Sequence, residues 1–408
     1  MDPQEFLVCR VDEARCTQCG MCQEVLLCPG PEACIGCLVC FQGCPNQARE
    51  RVRETSPRRA IRIQVDGAEV QVPERITIKR ALETLGFSFG IAPGEGDLQA
   101  PCRLGGCYGC LVLTDGEAVR ACVSPVREGM AIQTRLPEGF TPRRIVHGPQ
   151  PHAVGGKATP WWLKAKDRYV EVAIWAAGCN LRCPQCQNFT TTYDGRSRPL
   201  TPLEAARTVS RARRRFGVDR MAISGGEPTL NRPWLIQYFK ALKDLNPDPE
   251  ARLHLDSNGT LLTQDYIDEL ILEAGVTDIG IEPKGVHPKT FMRIAGIQDE
   301  GLARRYLDTA WSAIEYVAST YRESVFLGVG LPYNQALIGL EEVREFGRRL
   351  AKVDPEIQLC VLDYFPTFRR RDLRRPGVRE MLTVKQTLEE AGLRTVVVQT
   401  AIGHIGPR

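Results

Sequence analysis

Fifteen of the seventeen cysteines in this 408-residue chain fall in short-spaced groups. Eight lie between Cys16 and Cys44, four between Cys102 and Cys122, and three between Cys179 and Cys186, leaving Cys9 and Cys360 apart. Cysteines two residues apart do not readily pair with each other, but they suit a shared metal, and disulfide-dense chains are small. This grouping constrains the fold more than any other feature, because each group must form a loop that closes around a metal centre. It also divides the chain. The pattern predicts modules over 1–57 and 58–139, a Pro- and Gly-rich linker over 140–168, and a larger domain over 169–408.

In the first module, Cys16-x2-Cys19-x2-Cys22-x5-Cys28-Pro29 is followed by Cys34-x2-Cys37-x2-Cys40-x3-Cys44-Pro45. The second copy matches the run of bacterial two-cluster ferredoxins, where the fourth Cys of each run ligates the other cluster. That resemblance implies one [4Fe-4S] cube on Cys16, Cys19, Cys22 and Cys44, and another on Cys34, Cys37, Cys40 and Cys28. The crossing would staple two short halves that cannot bury a core alone. Four-Cys zinc sites are the alternative, but the triple spacing and trailing prolines are not zinc-ribbon features. Cys9 reads as a small core residue.

The second module opens with apolar and polar residues alternating over 61–72 on both sides of Asp66-Gly67, a hairpin signal, and continues with a short amphipathic helix over 78–85. Cys102-x4-Cys107-x2-Cys110, with Cys122 beyond, is the plant-type [2Fe-2S] spacing. Gly105, Gly106 and Gly109 suit a loop that curls around a cluster. The stretch from Cys122 to Met130 resembles the end of such domains in respiratory iron–sulfur subunits, so a β-grasp-like carrier is expected. In the linker, Trp161 and Trp162 read as packing at a domain junction.

From 169 onward, strand-like segments (169–176, 220–224, 252–256, 278–282, 324–330, 358–363 and 395–399) alternate with helical ones such as 202–215, 233–245, 264–274, 301–321, 340–351 and 382–391. Repeated βα units imply a parallel sheet and a full or partial barrel of (βα)6 type, so the expected class is multi-domain, with two α+β modules before an α/β barrel. In such barrels the reacting groups stand at the C-terminal strand ends. Cys179-x3-Cys183-x2-Cys186 follows the first strand, and Ser224-Gly225-Gly226-Glu227-Pro228 follows the second, so both belong to one rim. Three thiolates can hold three corners of a [4Fe-4S] cube and leave one iron open to a small molecule.

The pairing of C-x3-C-x2-C with G-G-E-P resembles the radical S-adenosylmethionine superfamily over about the last 240 residues. The resemblance implies that Cys179, Cys183 and Cys186 hold the cube and that its open iron chelates the amino and carboxylate groups of S-adenosylmethionine. Gly225, Gly226 and Glu227 would meet the methionine ammonium, with Pro228 fixing the turn. Ser257 and Asn258, after Asp256, would contact ribose or carboxylate, and Lys284, in Glu282-Pro283-Lys284, would face the same cavity. The sub-pattern is most similar to the activating-enzyme branch typified by pyruvate formate-lyase activase. Two departures stand out. The residue before the last Cys is Gln185 where an aromatic is usual, making Phe189 the nearest candidate to pack on adenine. The extra clusters precede the motif rather than follow it, so substrate class does not carry over.

Other features carry less. Arg211 and Arg213–Arg215 read as a solvated helix face, and 363–372 as either a substrate-contacting loop or a lid. His404 is a candidate proton donor or substrate contact, and Cys360 reads as buried strand packing. The formal charge of +4 and pI of about 8.3 suggest a basic protein. Thiolate clusters would bring the net charge to about −3, so the charge does not argue for nucleic-acid binding. The first ten residues carry no secretory pattern, and no apolar run is long enough to span a membrane, so a cytoplasmic protein is expected.

Together these features predict an enzyme with three [4Fe-4S] clusters, one [2Fe-2S] cluster and S-adenosylmethionine. One strongly reducing electron would cleave the sulfonium to methionine and a 5′-deoxyadenosyl radical, which abstracts hydrogen from a protein or a small molecule. A low-potential donor of ferredoxin or flavodoxin type is the expected partner, alongside a protein substrate or an oxidoreductase complex. The alternative is an iron–sulfur electron-transfer subunit of an anaerobic oxidoreductase complex with a non-catalytic barrel. The open-site motif and G-G-E-P argue against it, since a wire needs neither.

Overall fold

The computed structural model describes all residues except 1–4, 29, 31, 93, 165–167 and 408; Pro29, one of the trailing prolines, lies outside the described residues. The chain divides into two compact units. The first comprises Met1–Ile145, Ala176–Asn180 and Asn188–Thr201, and the second Val146–Trp175, Leu181–Gln187 and Pro202–Arg408. The three-cysteine loop is shared: Cys179 belongs to the first unit, and Cys183 and Cys186 to the second.

In the first unit the strand Phe6–Val11 pairs antiparallel with Arg49–Glu54, so the two ends of the first cysteine module close on each other. Its short helices, Met21–Glu24 and Val39–Gly43, each begin after a left-handed residue, Gly20 at φ 76° and Leu38 at φ 60°. These turns fall directly after Cys19 and Cys37. The next module is a sheet in the order Ala68–Pro73, Ala60–Val65, Ala131–Gln133, Leu111–Thr114, Glu117–Arg120. Asp66 and Gly67 both take positive φ (49° and 88°), as a two-residue hairpin turn of matching twist requires. Ile61, Ile63 and Val65 point inward, and the helix Ile78–Thr84, capped by Thr77, buries Ile78, Ala81 and Leu82.

In the second unit, among the described residues, nine strands form one sheet in chain order from Val146–His152 to Gly403–Ile405. Arg220–Gly225, Arg252–Ser257, Asp278–Ile281, Phe326–Tyr333, Gln358–Asp363 and Val396–Thr400 pair successively in parallel, and the last strand turns back antiparallel. The unit is barrel-like in part. The helices Pro202–Phe216, Arg232–Leu245, Glu300–Thr320, Leu340–Val353 and Val378–Glu390 lie between strands, as their 3.6-residue periodicity predicts. The helix expected over 264–274 is present, but its second half widens, with the Ala274 amide bonding to the Glu269 carbonyl five residues back.

Register separates the two faces of this sheet. One face carries Met221, Ile223, Leu253, Leu255, Ile279, Ile281, Val329, Leu359 and Val361, all buried and apolar. The other carries the row Ala222–His254–Asp278 and the row Asp256–Gly280–Gly328–Gln358. A parallel sheet covered on both faces is ordinarily apolar on both. Here the second face is covered by residues 155–161, part of the stretch expected as a linker. The Gln358 side-chain amide donates to the Lys157 and Thr159 carbonyls (2.8 and 2.9 Å) and its oxygen accepts from the Trp161 amide (2.8 Å). Arg220 donates to the Ala158 carbonyl at 2.9 Å and pairs with Asp278 at 2.8 Å.

Strand glycines make room for this segment. A Cβ on Gly328 would lie 2.2 Å from the Lys157 carbonyl oxygen, and one on Gly330 would lie 2.4 Å from the Lys157 side chain. Gly328→Ala should therefore destabilise the chain by about 1–3 kcal/mol through overpacking. Denaturation followed by tryptophan fluorescence checks this, and an unchanged midpoint would mean the segment simply steps aside.

Candidate iron–sulfur and S-adenosylmethionine site

In the first unit, Cys102, Cys107, Cys110 and Cys122 are buried together. The Cys107 thiol is hydrogen-bonded to Cys102, and Cys122 to Cys110; these contacts and burial raise both thiols well above the usual range. The Leu104 and Gly109 amides point at the Cys102 and Cys107 sulfurs, at 3.3 and 3.4 Å. Four thiols in pairs, with backbone N–H groups aimed at sulfur, fit a cluster whose iron would replace the shared protons.

In the first cysteine module, Cys28 contacts Cys40, Cys37 lies near Cys28 and Cys34, and Cys22 lies near both Cys44 and Cys28. The Ala48 amide donates to the Cys44 sulfur at 3.3 Å. Cys16 is half-buried and Cys19 exposed. Cys9 does more than pack: its amide donates to the Cys34 sulfur at 3.4 Å, and its thiol contacts Cys40. Among the described residues, no three His, Cys, Asp or Glu side chains converge on a single metal ion.

In the second unit, Cys183 and Cys186 share a turn, the Cys186 amide donating to the Cys183 carbonyl at 3.1 Å. That loop is clamped through Arg182 N–H to the Ala295 carbonyl (2.8 Å) and Arg369 N–H to the Pro184 carbonyl (3.0 Å). Gln185 is fully buried and donates to the Ile294 carbonyl at 2.8 Å. Burial pushes the Cys183 thiol up to about 11, with the Lys284 charge opposing that rise.

The strand ends are tied together by Glu227. Its buried carboxylate accepts from the Thr229 amide (3.1 Å), the Thr229 hydroxyl (2.7 Å), the Ser257 hydroxyl (2.8 Å) and the Asn258 amide (2.7 Å). Asn258 in turn accepts from the Thr260 amide and hydroxyl at 3.0 and 2.7 Å. Gly225 and Gly226 are partly exposed beside this knot, and Gly225 sits at φ 122°, so backbone groups rather than side chains face outward there. Pro228 opens the short turn Pro228–Leu230. Lys284, at φ 68°, is buried; it pairs with Glu282 and lies 3.3 Å from the Tyr364 hydroxyl, which donates to Glu282 at 3.2 Å.

His152, Lys157, Glu171 and His254, none of them a sequence-predicted site residue, lie with Asp256 and Glu282 on the polar sheet face. His152 and His254 flank Glu171 at 3.4 and 3.1 Å, His254 meets Asp256 at 3.2 Å, and Lys157 bridges Asp256 and Glu282 at 3.4 and 3.9 Å. Burial alone would lower the His254 pKa, but Asp256 and Glu171 raise it to about 9. Burial would raise Asp256, yet Lys157 and His254 hold it at about 2. The available signal was a charge inside an apolar strand: Glu171 opens EVAIWA and His254 interrupts RLHLDS. Asp256 thus pairs within this network.

Phe189 begins the short helix Phe189–Thr192 of the first unit. Burial and the Lys164 charge bring His404 down to about 4, so it is neutral near pH 7. Cys360 is buried against the Lys157 carbonyl, at 3.6 Å. Arg211, Arg214 and Arg215 are exposed, whereas Arg213 pairs with Asp248 at 2.6 Å. Trp161 and Trp162 pack edge to face, and Trp162 lies 5.9 Å from Phe326. In 363–372, Asp363 pairs with Arg375 at 2.7 Å.

The second unit thus carries Cys183, Cys186 and a glycine-lined strand end, and the first unit carries four buried, paired cysteines. Residues 174–338 match the radical SAM superfamily, and residues 58–137 match the 2Fe-2S iron-sulfur cluster binding domain. The chain thus contains a region similar to the radical SAM superfamily and another similar to a 2Fe-2S iron–sulfur cluster binding domain. It is 34% identical to GTP 3',8-cyclase of Synechococcus sp. (strain CC9605) over 133 residues, which is 31% of this chain and 37% of that protein. It is 25% identical to a probable GTP 3',8-cyclase of Methanococcus vannielii over 194 residues, which is 46% of this chain and 56% of that one. The chain therefore spans only about 37–56% of the length of these curated relatives. Among solved structures it is similar to coproporphyrinogen III oxidase from Escherichia coli (18% identity, TM-score 0.36, 50% of this chain and 47% of that one). That level of likeness does not define a common fold.

Proposed function

We propose that this chain reductively cleaves S-adenosylmethionine to a 5′-deoxyadenosyl radical and uses it to abstract hydrogen from a protein or small-molecule substrate, fed by its own iron–sulfur relay. The observation that carries this reading is the radical SAM match over 174–338, which contains all three cysteines and the Gly225–Pro228 turn. When bound on Cys179, Cys183 and Cys186, a [4Fe-4S] cube would supply the electron and an open iron for S-adenosylmethionine. Protein residues would do the rest. Glu227 locks the second and third strand ends together, and Gly225 and Gly226 put no side chain between the backbone there and a methionine ammonium. Ser257, Asn258 and Lys284 stand at the same strand ends for ribose or carboxylate, and the Glu282–Lys284–Tyr364 cluster holds a fixed, largely dehydrated charge near Cys183.

The finer assignment is a chain of the activating-enzyme-like branch, with two further [4Fe-4S] clusters on the Cys16–Cys44 module and a [2Fe-2S] cluster on Cys102, Cys107, Cys110 and Cys122. Its donor would be a low-potential ferredoxin or flavodoxin type carrier, and its compartment the cytoplasm. Among the described residues, no helix is long and apolar enough to cross a membrane. The GTP 3',8-cyclase likeness covers less than half of this chain, so no substrate is carried over from it.

Anaerobic reconstitution with S-adenosylmethionine and a chemical reductant tests the proposal: methionine and 5′-deoxyadenosine should form, and their absence would sink it. For the relay, Cys37→Ala should slow turnover about tenfold or more with a protein donor, yet spare turnover with a strong chemical reductant, because only the wiring is cut. Equal losses with both donors would instead mean that Cys37 is structural.

A further inference from the structure

The segment that carries Cys179 lies backbone to backbone on the loop that carries Cys102 and Cys107, and both belong to the first unit. Two glycines allow this. Gly178 sits at φ 82°, and a Cβ there would stand 2.9 Å from both the Cys107 Cβ and its amide nitrogen, and 3.1 Å from the Cys102 Cβ. Gly106 faces back: its Cβ would stand 2.7 Å from the Ala177 Cβ, 2.7 Å from the Asp194 carbonyl and 2.9 Å from the Gly178 nitrogen. A side chain on either residue would wedge the two loops apart.

The contact is held from several sides. Gly178 N–H donates to the Thr192 carbonyl and Ala177 N–H to the Ile145 carbonyl, both at 2.9 Å, while Ile145 N–H reaches the Gly106 carbonyl at 3.4 Å. The fully buried Arg144 donates to the Ala177 carbonyl at 3.0 Å, and its positive charge acts on Cys107. Arg120 donates to the Gly105 and Gly195 carbonyls at 2.9 Å each. Cys179 is the next residue after Gly178, about 3.8 Å along the chain.

The Cys16–Cys44 module meets this region further along, through Gly195 N–H to the Val25 carbonyl (3.0 Å) and Arg196 to the Leu26 carbonyl (2.7 Å). Its contacts fall some fifteen residues past Cys179, whereas those of Cys107 and Cys102 fall one residue before it. The two carriers are thus not equivalent.

We propose that the [2Fe-2S] centre is the last relay, handing its electron to the catalytic cube across the Cys107–Gly178 contact next to Cys179. This rests on the reading of the three-cysteine loop as an S-adenosylmethionine cluster. One electron moves: the reduced [2Fe-2S] centre returns to its oxidised state as the oxidised cube becomes reduced, with no proton or bond transferred. The [2Fe-2S] centre is refilled from the two-cluster module, itself reduced by an external one-electron iron–sulfur or flavin carrier. The buried Arg144 guanidinium would offset the negative charge gathered at the contact.

The test is electron paramagnetic resonance of the reconstituted, fully reduced full chain. The reduced [2Fe-2S] signal should relax fast and be broadened by the neighbouring cube. That broadening should be lost in Cys183→Ala/Cys186→Ala, which keeps every other cluster cysteine. It should also change when S-adenosylmethionine is added to the wild-type chain, an arm that does not depend on a variant folding. A [2Fe-2S] signal unchanged by the double substitution and indifferent to S-adenosylmethionine, while the wild-type chain still makes 5′-deoxyadenosine, overturns the relay order and leaves the function standing. No 5′-deoxyadenosine at all overturns the functional reading itself.

Discussion

Cys183→Ala should reduce 5′-deoxyadenosine formation to background, a loss of at least about a thousandfold, equivalent to about 4 kcal/mol or more of barrier. The motif offers three thiols, and nothing in the loop replaces one: Pro184 and Gln185 follow, and Gln185 is engaged with Ile294. Two thiolates do not hold a cube, so the chemistry that the bound group supplies is lost rather than weakened. The variant should lose about four irons per chain and retain the [2Fe-2S] absorption, because Cys102, Cys107, Cys110 and Cys122 lie in the other unit. Iron analysis, visible spectra and product assays read this together. Wild-type levels of 5′-deoxyadenosine from the variant would remove the three-cysteine loop from the reaction.

The second large effect concerns His254 and pH. Its folded pKa, near 9, stands above the free value of 6.5 because Asp256 and Glu171 favour the imidazolium more than burial opposes it. The stabilisation is then fully present below about pH 6.5 and is lost as pH rises through 9, amounting to about 3 kcal/mol. Asp256 behaves oppositely: its pKa is depressed to about 2, so its contribution is lost only as pH falls through that value. Between pH 6 and 10 the pair should therefore show the histidine's titration. Hydrogen exchange in the Arg252–Ser257 strand reads it locally in the full chain. Relative to His254→Gln at the same pH, wild-type protection should fall on the order of a hundredfold between pH 6.5 and 9.5. A wild-type-to-variant ratio flat across that range would show that the imidazole does not titrate there.

Much of the architecture was legible from periodicity. The hairpin about Asp66-Gly67, the helix after Thr77 and the alternating strands and helices beyond 169 all rest on local patterns that a residue and its near neighbours specify. Less legible was the segment 155–161. Its prolines and glycines read as a linker, because the same residues that permit a loop also permit a chain to lie flat on a sheet. What recruits it are Gln358, Arg220 and the glycines of distant strands, and no local pattern reports such partners. Gly328 and Gly330 read as ordinary strand residues until Lys157 is placed against them.

The candidate site divides along the same line. By itself the sequence determined which cysteines group and that Gly225–Pro228 ends a strand, because ligand spacing and strand ends are short-range properties. Only the tertiary structure decided that Glu227 spends its carboxylate on Thr229, Ser257 and Asn258, and that Glu171, His254, Asp256 and Lys157 share a buried face. It alone decided that Gly106 and Gly178, seventy-two positions apart, lie face to face beside Cys179. The physical reason is the same in each case. A buried charge is stabilised by partners the chain brings in from far away, and a glycine's missing side chain has meaning only when something occupies the space it leaves.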